Sequence, residues 1–167
     1  MDNSVPDYLA YNMKIVFVGF NPSLRSGETG HHFANPSNRF WRILYEAGLT
    51  PRIYKPEDDY LLPRLGYGLS NIVPRPTRAA ADILPEEYEL GRQLLSQKLR
   101  RYSPRTVCYV GKGVYQAYSQ NKQAPWGYQT FDVIHGIKDF VAPSSSGLVR
   151  MKTSEIAAIY HRLTVKP

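Results

Sequence analysis

Residues 14–21, KIVFVGFN, hold four consecutive apolar side chains, three of them β-branched, before the chain breaks at Gly19, Asn21 and Pro22. A strand with one wet face alternates polar and apolar residues; an unbroken apolar run marks a strand covered on both faces. A chain built around such a strand needs helices above and below it, and the remaining sequence supplies them. SNRFWRILYEAG (37–48) places Phe40, Trp41, Ile43 and Leu44 at helical spacing, with Ser37 as the expected N-cap and Gly48 closing the segment. LPEEYELGRQLLSQKLRRYS (84–103) opens on Pro and Glu and ends on Arg, the polarity that suits a helix dipole, with apolar residues on one stripe. GLSNIV (68–73) and RTVCYVG (105–111) read as further strands, GVYQAYSQ (113–120) as a helix, and QTFDVIH (129–135) and KDFVAP (138–143) as strands. TSEIAAIYHRL (153–163) is the expected closing helix, capped by Thr153 or Ser154. Strands alternating with helices predict an α/β fold, a mostly parallel central sheet covered on both faces.

At 167 residues and 43% hydrophobic, the chain can bury one good core, so a single domain over 1–167 is expected. The single cysteine, Cys108, lies inside an apolar strand; it excludes an internal disulfide and a cysteine-built metal cluster, and reads as core. Lys and Arg number 21 against 14 for Asp and Glu, a formal charge of +7 that suits a polyanionic partner. No leader pattern or membrane-length apolar run is legible, so the expectation is a soluble intracellular protein without membrane association, cytoplasmic or near the nucleoid in a bacterium, nuclear in a eukaryote.

In parallel sheets ligands sit beyond the carboxyl ends of the strands. That rule brings GFNPS (19–23), GK (111–112) and PSSSGLVR (143–150) to one edge. No GxxxxGK[ST], GxGxxG or GxSxG occurs. His31 and His32 are adjacent and lack further ligands at suitable spacing, so no metal is expected. What remains is Asn21, whose side chain gains a defined direction from the following Pro22. Two readings fit it: an Asx turn that ends the strand, or an amide that positions a water while being unable to take up a proton. Phe33 fits equally a core aromatic. Glu28 is expected to point to solvent from a loop, Trp41 and His161 to pack on helix faces, and Arg25, Arg75 and Lys112 to be phosphate contacts or solvated charges.

In order, VPDYLAYNMKIVFVGFNPS, GHHF, NRFW, LSNIVPRPT, GKGVYQAY and PSSSGLVR resemble the mismatch-specific uracil and thymine DNA glycosylases, from about Val5 to about Met151. The resemblance implies a three-layer sandwich of the uracil-DNA glycosylase fold with no metal or other cofactor. It also implies a monofunctional, expectedly monomeric hydrolase that cuts the N-glycosidic bond of a flipped base in double-stranded DNA with G·U or G·T mismatches. Asn21 matches the catalytic Asn of the family's GINPG, with Ser23 replacing the second Gly here. Gly19 and Phe20 accompany it in the base pocket. Phe33 matches the aromatic that stacks on the extruded base; Ser26 and His32 match positions that influence uracil against thymine, and Asn71 a polar side chain near the base. Gly147, Leu148 and Arg150 match the wedge that fills the vacated stack and touches the opposite guanine. Lys112, Ser144, Ser145 and Ser146 are assigned as phosphate contacts. Where bacterial relatives begin the wedge loop with Asn-Pro-Ser, this chain has three serines, closer to the thymine-type enzymes. A non-catalytic module that recognises mismatched DNA through the same fold is the alternative, and an enzyme acting on free nucleosides a third; neither accounts for Asn21, Phe33, Leu148 and the basic charge together.

Overall fold

The computed structural model describes residues 4–165. Strand β1 (Ile15–Gly19) leads into a short helix α1 (Leu24–Thr29), then α2 (Phe40–Glu46), a 3-10 segment (Pro56–Leu65) and β2 (Tyr67–Asn71). The second half runs α3 (Pro85–Tyr102), β3 (Thr106–Val110), α4 (Lys112–Ser119), β4 (Gly127–Tyr128), β5 (Lys138–Ala142) and α5 (Thr153–His161). The five strands form one sheet in the order β2-β1-β3-β5-β4, parallel except for the β4–β5 pair.

The continuous apolar runs are explained by the two layers they separate. Phe17, Cys108 and Phe140 face one side, against Phe40 and Leu44 of α2 and Ile156 and Tyr160 of α5. Val16, Val18, Val107, Tyr109 and Val141 face the other, against Leu95 and Leu99 of α3 and Val114 and Tyr118 of α4. Each such side chain contributes about 1.5–3 kcal/mol on leaving water, so neither face could be left uncovered. Cys108 is buried in the first layer, and burial pushes its thiol well above the ordinary value. No helix among the described residues is long and apolar enough to cross a membrane.

Four local expectations differ. QTFDVIH (129–135) is not a strand: the Asp139 carboxylate accepts the Val133 N–H at 2.8 Å, Asp132 Oδ1 accepts the Asp139 N–H at 3.0 Å, and Ile137 N–H closes a turn on the Ile134 carbonyl. Side-chain bonds of this kind offer the backbone an alternative to the ladder, and Phe131 is 84% exposed. The strand antiparallel to β5 is instead the two-residue β4, opened by Gly127 at φ 94°. Helix α2 begins three residues after Ser37, because Asn38 Oδ1 takes the Phe40 N–H and Arg39 occupies the cap position. Lys152, not Thr153 or Ser154, precedes α5, with no side-chain cap. Glu28 is solvent-exposed as expected but sits in α1, not in a loop.

Candidate active site

Register decides which strand ends meet. Gly19 pairs with Asn71 at the end of β1 and β2, and Val110 with Ala142 at the end of β3 and β5. Beyond the strands the ladder continues: Ile72 and Val73 N–H donate to the Gly19 and Phe20 carbonyls, and Thr77 N–H to the Pro22 carbonyl. The loop after β2 is thereby laid alongside GFNPS. Over this edge opens a cavity of about 520 Å³, within the usual size range of a small-molecule site. Gly19, Phe20, Asn21, Ser26, His32, Phe33 and Asn71 line it, together with Ser144, Ser145, Ser146, Gly147 and Leu148. Lys112 and Arg150 do not: Lys112 Nζ lies 4.3 Å over the Trp126 ring, and Arg150 is exposed on the loop beyond.

The orientation of Asn21 is determined by its partners. Its Nδ2 donates to the Arg75 carbonyl at 2.7 Å and to Thr77 Oγ1 at 2.8 Å. Thr77 Oγ1 donates its own proton to the Ala79 carbonyl at 2.7 Å, so toward Asn21 it accepts. Both amide protons are therefore consumed and Oδ1, with no partner among the described residues, is the atom left open at the cavity. The side chain of Asn71, opposite, also makes no hydrogen bond among the described residues, leaving a donor and an acceptor open at the cavity. Gly19 makes its position possible, since a Cβ there would come within 2.9 Å of Asn71 Oδ1.

Phe33 sits at φ 50°, a left-handed conformation that a bulky side chain rarely adopts. Its neighbours hold it there: the His32 N–H donates to buried Asp59 Oδ2, and the Ala34 N–H to Ser26 Oγ, each at 3.0 Å. One ring face of Phe33 stacks on Phe40, centroids 3.9 Å apart, while the ring also borders the cavity. Ser26 thus spends its oxygen on the loop backbone. His32, 3% exposed, turns its Nε2 to the Pro6 carbonyl at 2.7 Å, so the ring carries its proton on that nitrogen. Burial lowers its pKa, with the Pro6 bond opposing, and the neutral ring brings no charge to the cavity.

The three serines form the stem of the loop that carries Leu148. Ser144 Oγ accepts the Ser146 N–H and Ser146 Oγ the Leu148 N–H, each at 3.2 Å, while Ser145 is buried. Leu148 is 93% exposed at the rim of the cavity. Sequence reading missed Thr77 and Arg78, because the PRPT stretch shows no sign of how it meets Asn21. Among the described residues Arg78 is the one Lys or Arg lining the cavity, and it has no ion-pair partner there. Arg75, by contrast, is bound by Glu87 at 2.6 and 2.9 Å, which holds that carboxylate down at about 2, first through the Arg75 hydrogen bond and then through the Leu84 N–H. No group of His, Cys, Asp and Glu among the described residues could hold a metal.

The fold has a solved counterpart. The solution NMR structure of a candidate uracil DNA glycosylase from Methanosarcina acetivorans superposes at TM-score 0.60 and 22% identity, over 96% of this chain and 97% of that one. The profile of the uracil DNA glycosylase superfamily matches residues 6–164, and the chain belongs to that superfamily.

Proposed function

We propose that this protein excises uracil, and more slowly thymine, mispaired with guanine in duplex DNA, leaving an abasic site. The observation that carries the reading is the Asn21 amide, whose protons are held by the Arg75 carbonyl and Thr77 and whose oxygen is left to hold a water. In the reaction, that water adds to C1′ of the flipped nucleotide while the C1′–N1 bond breaks and its electron pair leaves on the pyrimidine. The water proton passes to solvent and the departing base is protonated in turn. Because Asn cannot act as a base, catalysis rests on placing the water and on the stability of the delocalised leaving anion, which predicts a slow enzyme. Asn71 offers a donor and an acceptor to the carbonyl and N–H edge that uracil and thymine share, and Phe33 a ring for stacking. Flipping costs least where pairing is already poor, which favours a wobble pair before any base contact counts.

A duplex with one G·U pair, incubated with excess protein and treated with alkali, tests this. Strand cleavage at the uracil, faster than at G·T or A·U, is expected. Binding without cleavage would leave a mismatch-recognition module, and preference for A·U over G·U would overturn the mismatch assignment.

A further inference from the structure

We propose that Arg39 is the residue that positions the Leu148 wedge, acting as a cradle for its loop. The guanidinium reaches three carbonyls of that loop: Nη1 donates to the Met151 carbonyl at 2.8 Å, and Nη2 to those of Val149 at 3.0 Å and Ser146 at 3.1 Å. Nη1 also lies 3.4 Å from Thr153 Oγ1 at the start of α5, and the Arg39 backbone N–H donates to the Ser145 carbonyl at 2.9 Å. The segment from 145 to 151 is thus gathered onto one residue more than a hundred positions earlier. Leu148 makes no hydrogen bond to the guanidinium; 93% exposed, it lies at the centre of the arc that the guanidinium ties at both ends.

Two further observations point the same way. Gly147 packs so closely on the segment before α2 that a Cβ there would come within 2.6 Å of the Ser37 carbonyl. And Arg39 Nε is buried with no partner among the described residues, a penalty tolerated because the planar fork has been turned to serve the loop carbonyls with its terminal nitrogens. A Lys cannot reproduce that geometry, being a single point of charge. Arg39 also directly precedes Phe40, on which Phe33 stacks. The start of α2 therefore supports the wedge with one residue and the base platform with the next, so that the two stay in fixed relation when a nucleotide is turned out between them.

The inference rests on reading Leu148 as the wedge of a glycosylase, and the experiment separates the two. Arg39→Met and Arg39→Lys are made in the full chain and assayed for single-turnover uracil release from a G·U duplex and from the same strand alone. The expected result is a loss of about tenfold to a hundredfold on the duplex, the scale that a misplaced positioning group produces, with single-strand release near wild type. In a Leu148→Ala background, Arg39→Met should add little, since both changes remove the same wedge. Equal losses on both substrates, or additive losses in the double variant, would overturn the proposal. If Arg39→Met does not fold, Gly147→Ala tests the same cradle by lifting the loop off Ser37: a duplex-selective loss supports it and no selectivity refutes it. Amide hydrogen exchange at Leu148 and Val149 needs no activity. Faster exchange in Arg39→Lys is expected, and unchanged exchange would sink the cradle. A wild type that releases uracil from neither substrate would sink the glycosylase reading instead.

Discussion

Thr77→Val tests whether the Asn21 amide is held or merely present. Valine keeps the volume and branching of threonine but cannot accept the Asn21 Nδ2 proton now bound at 2.8 Å, nor donate to the Ala79 carbonyl at 2.7 Å. The Arg75 carbonyl still takes one amide proton at 2.7 Å, so Asn21 keeps its flip state but gains rotational freedom. A hydrogen bond of this kind is worth about 0.5–1.5 kcal/mol net, which corresponds to a loss of roughly twofold to twelvefold if it is needed to aim the water. Single-turnover release from a G·U duplex at saturating protein reads that step, and duplex affinity should not move. Thr77→Ser retains both hydrogen bonds and should restore the rate. A Val variant at wild-type rate would refute the argument, as would a Ser variant as slow as the Val one, because the methyl group would then be what matters.

Asn21→Ala should abolish most base release while G·U duplex is still bound. Arg78→Gln should weaken duplex binding and lower the salt slope of log K by about 1, the signature of one lost phosphate contact, with the saturated rate unchanged. Stability should respond to pH through Asp139, whose carboxyl burial raises to about 6 against the bonds from Val133 N–H and Tyr109 that favour its charge. The folded state keeps that proton to higher pH than the unfolded chain, so its stabilising contribution, on the order of 3 kcal/mol, is full below about pH 4 and lost as pH rises through 6. His32 acts oppositely: its lowered pKa means stability is lost as pH falls through 6.5, where the unfolded histidine gains a proton first. Urea midpoints between pH 4.5 and 7 for wild type and Asp139→Asn should differ in slope by the Asp139 contribution, and identical slopes would refute it.

The covered parallel sheet was legible from the chain because burial on both faces leaves a mark at every consecutive position of a strand. IVFV and TVCYV could not be mistaken for half-wet strands, and both are buried throughout. The long α3 was equally plain, its stripe and its Pro–Glu start being local properties. The exposure of Leu148 followed from the polar, Gly-containing loop around it. QTFDVIH misled because its alternation is also local, whereas the carboxylate that unravels it, Asp139, lies in the next strand.

The function of the site was decided elsewhere. Which amide atom of Asn21 is open depends on Arg75 and Thr77, more than fifty residues on. The strained turn at Phe33 depends on Asp59, in a 3-10 segment with no periodic signature, and the loop that carries Leu148 on Arg39. Hydrophobic periodicity records which side of an element meets the core, so the sequence by itself determined the layers and the edge over which the cavity opens. A hydrogen bond between distant side chains leaves no such record, because its partner is chosen by strand register and loop path, and only the tertiary structure decided those.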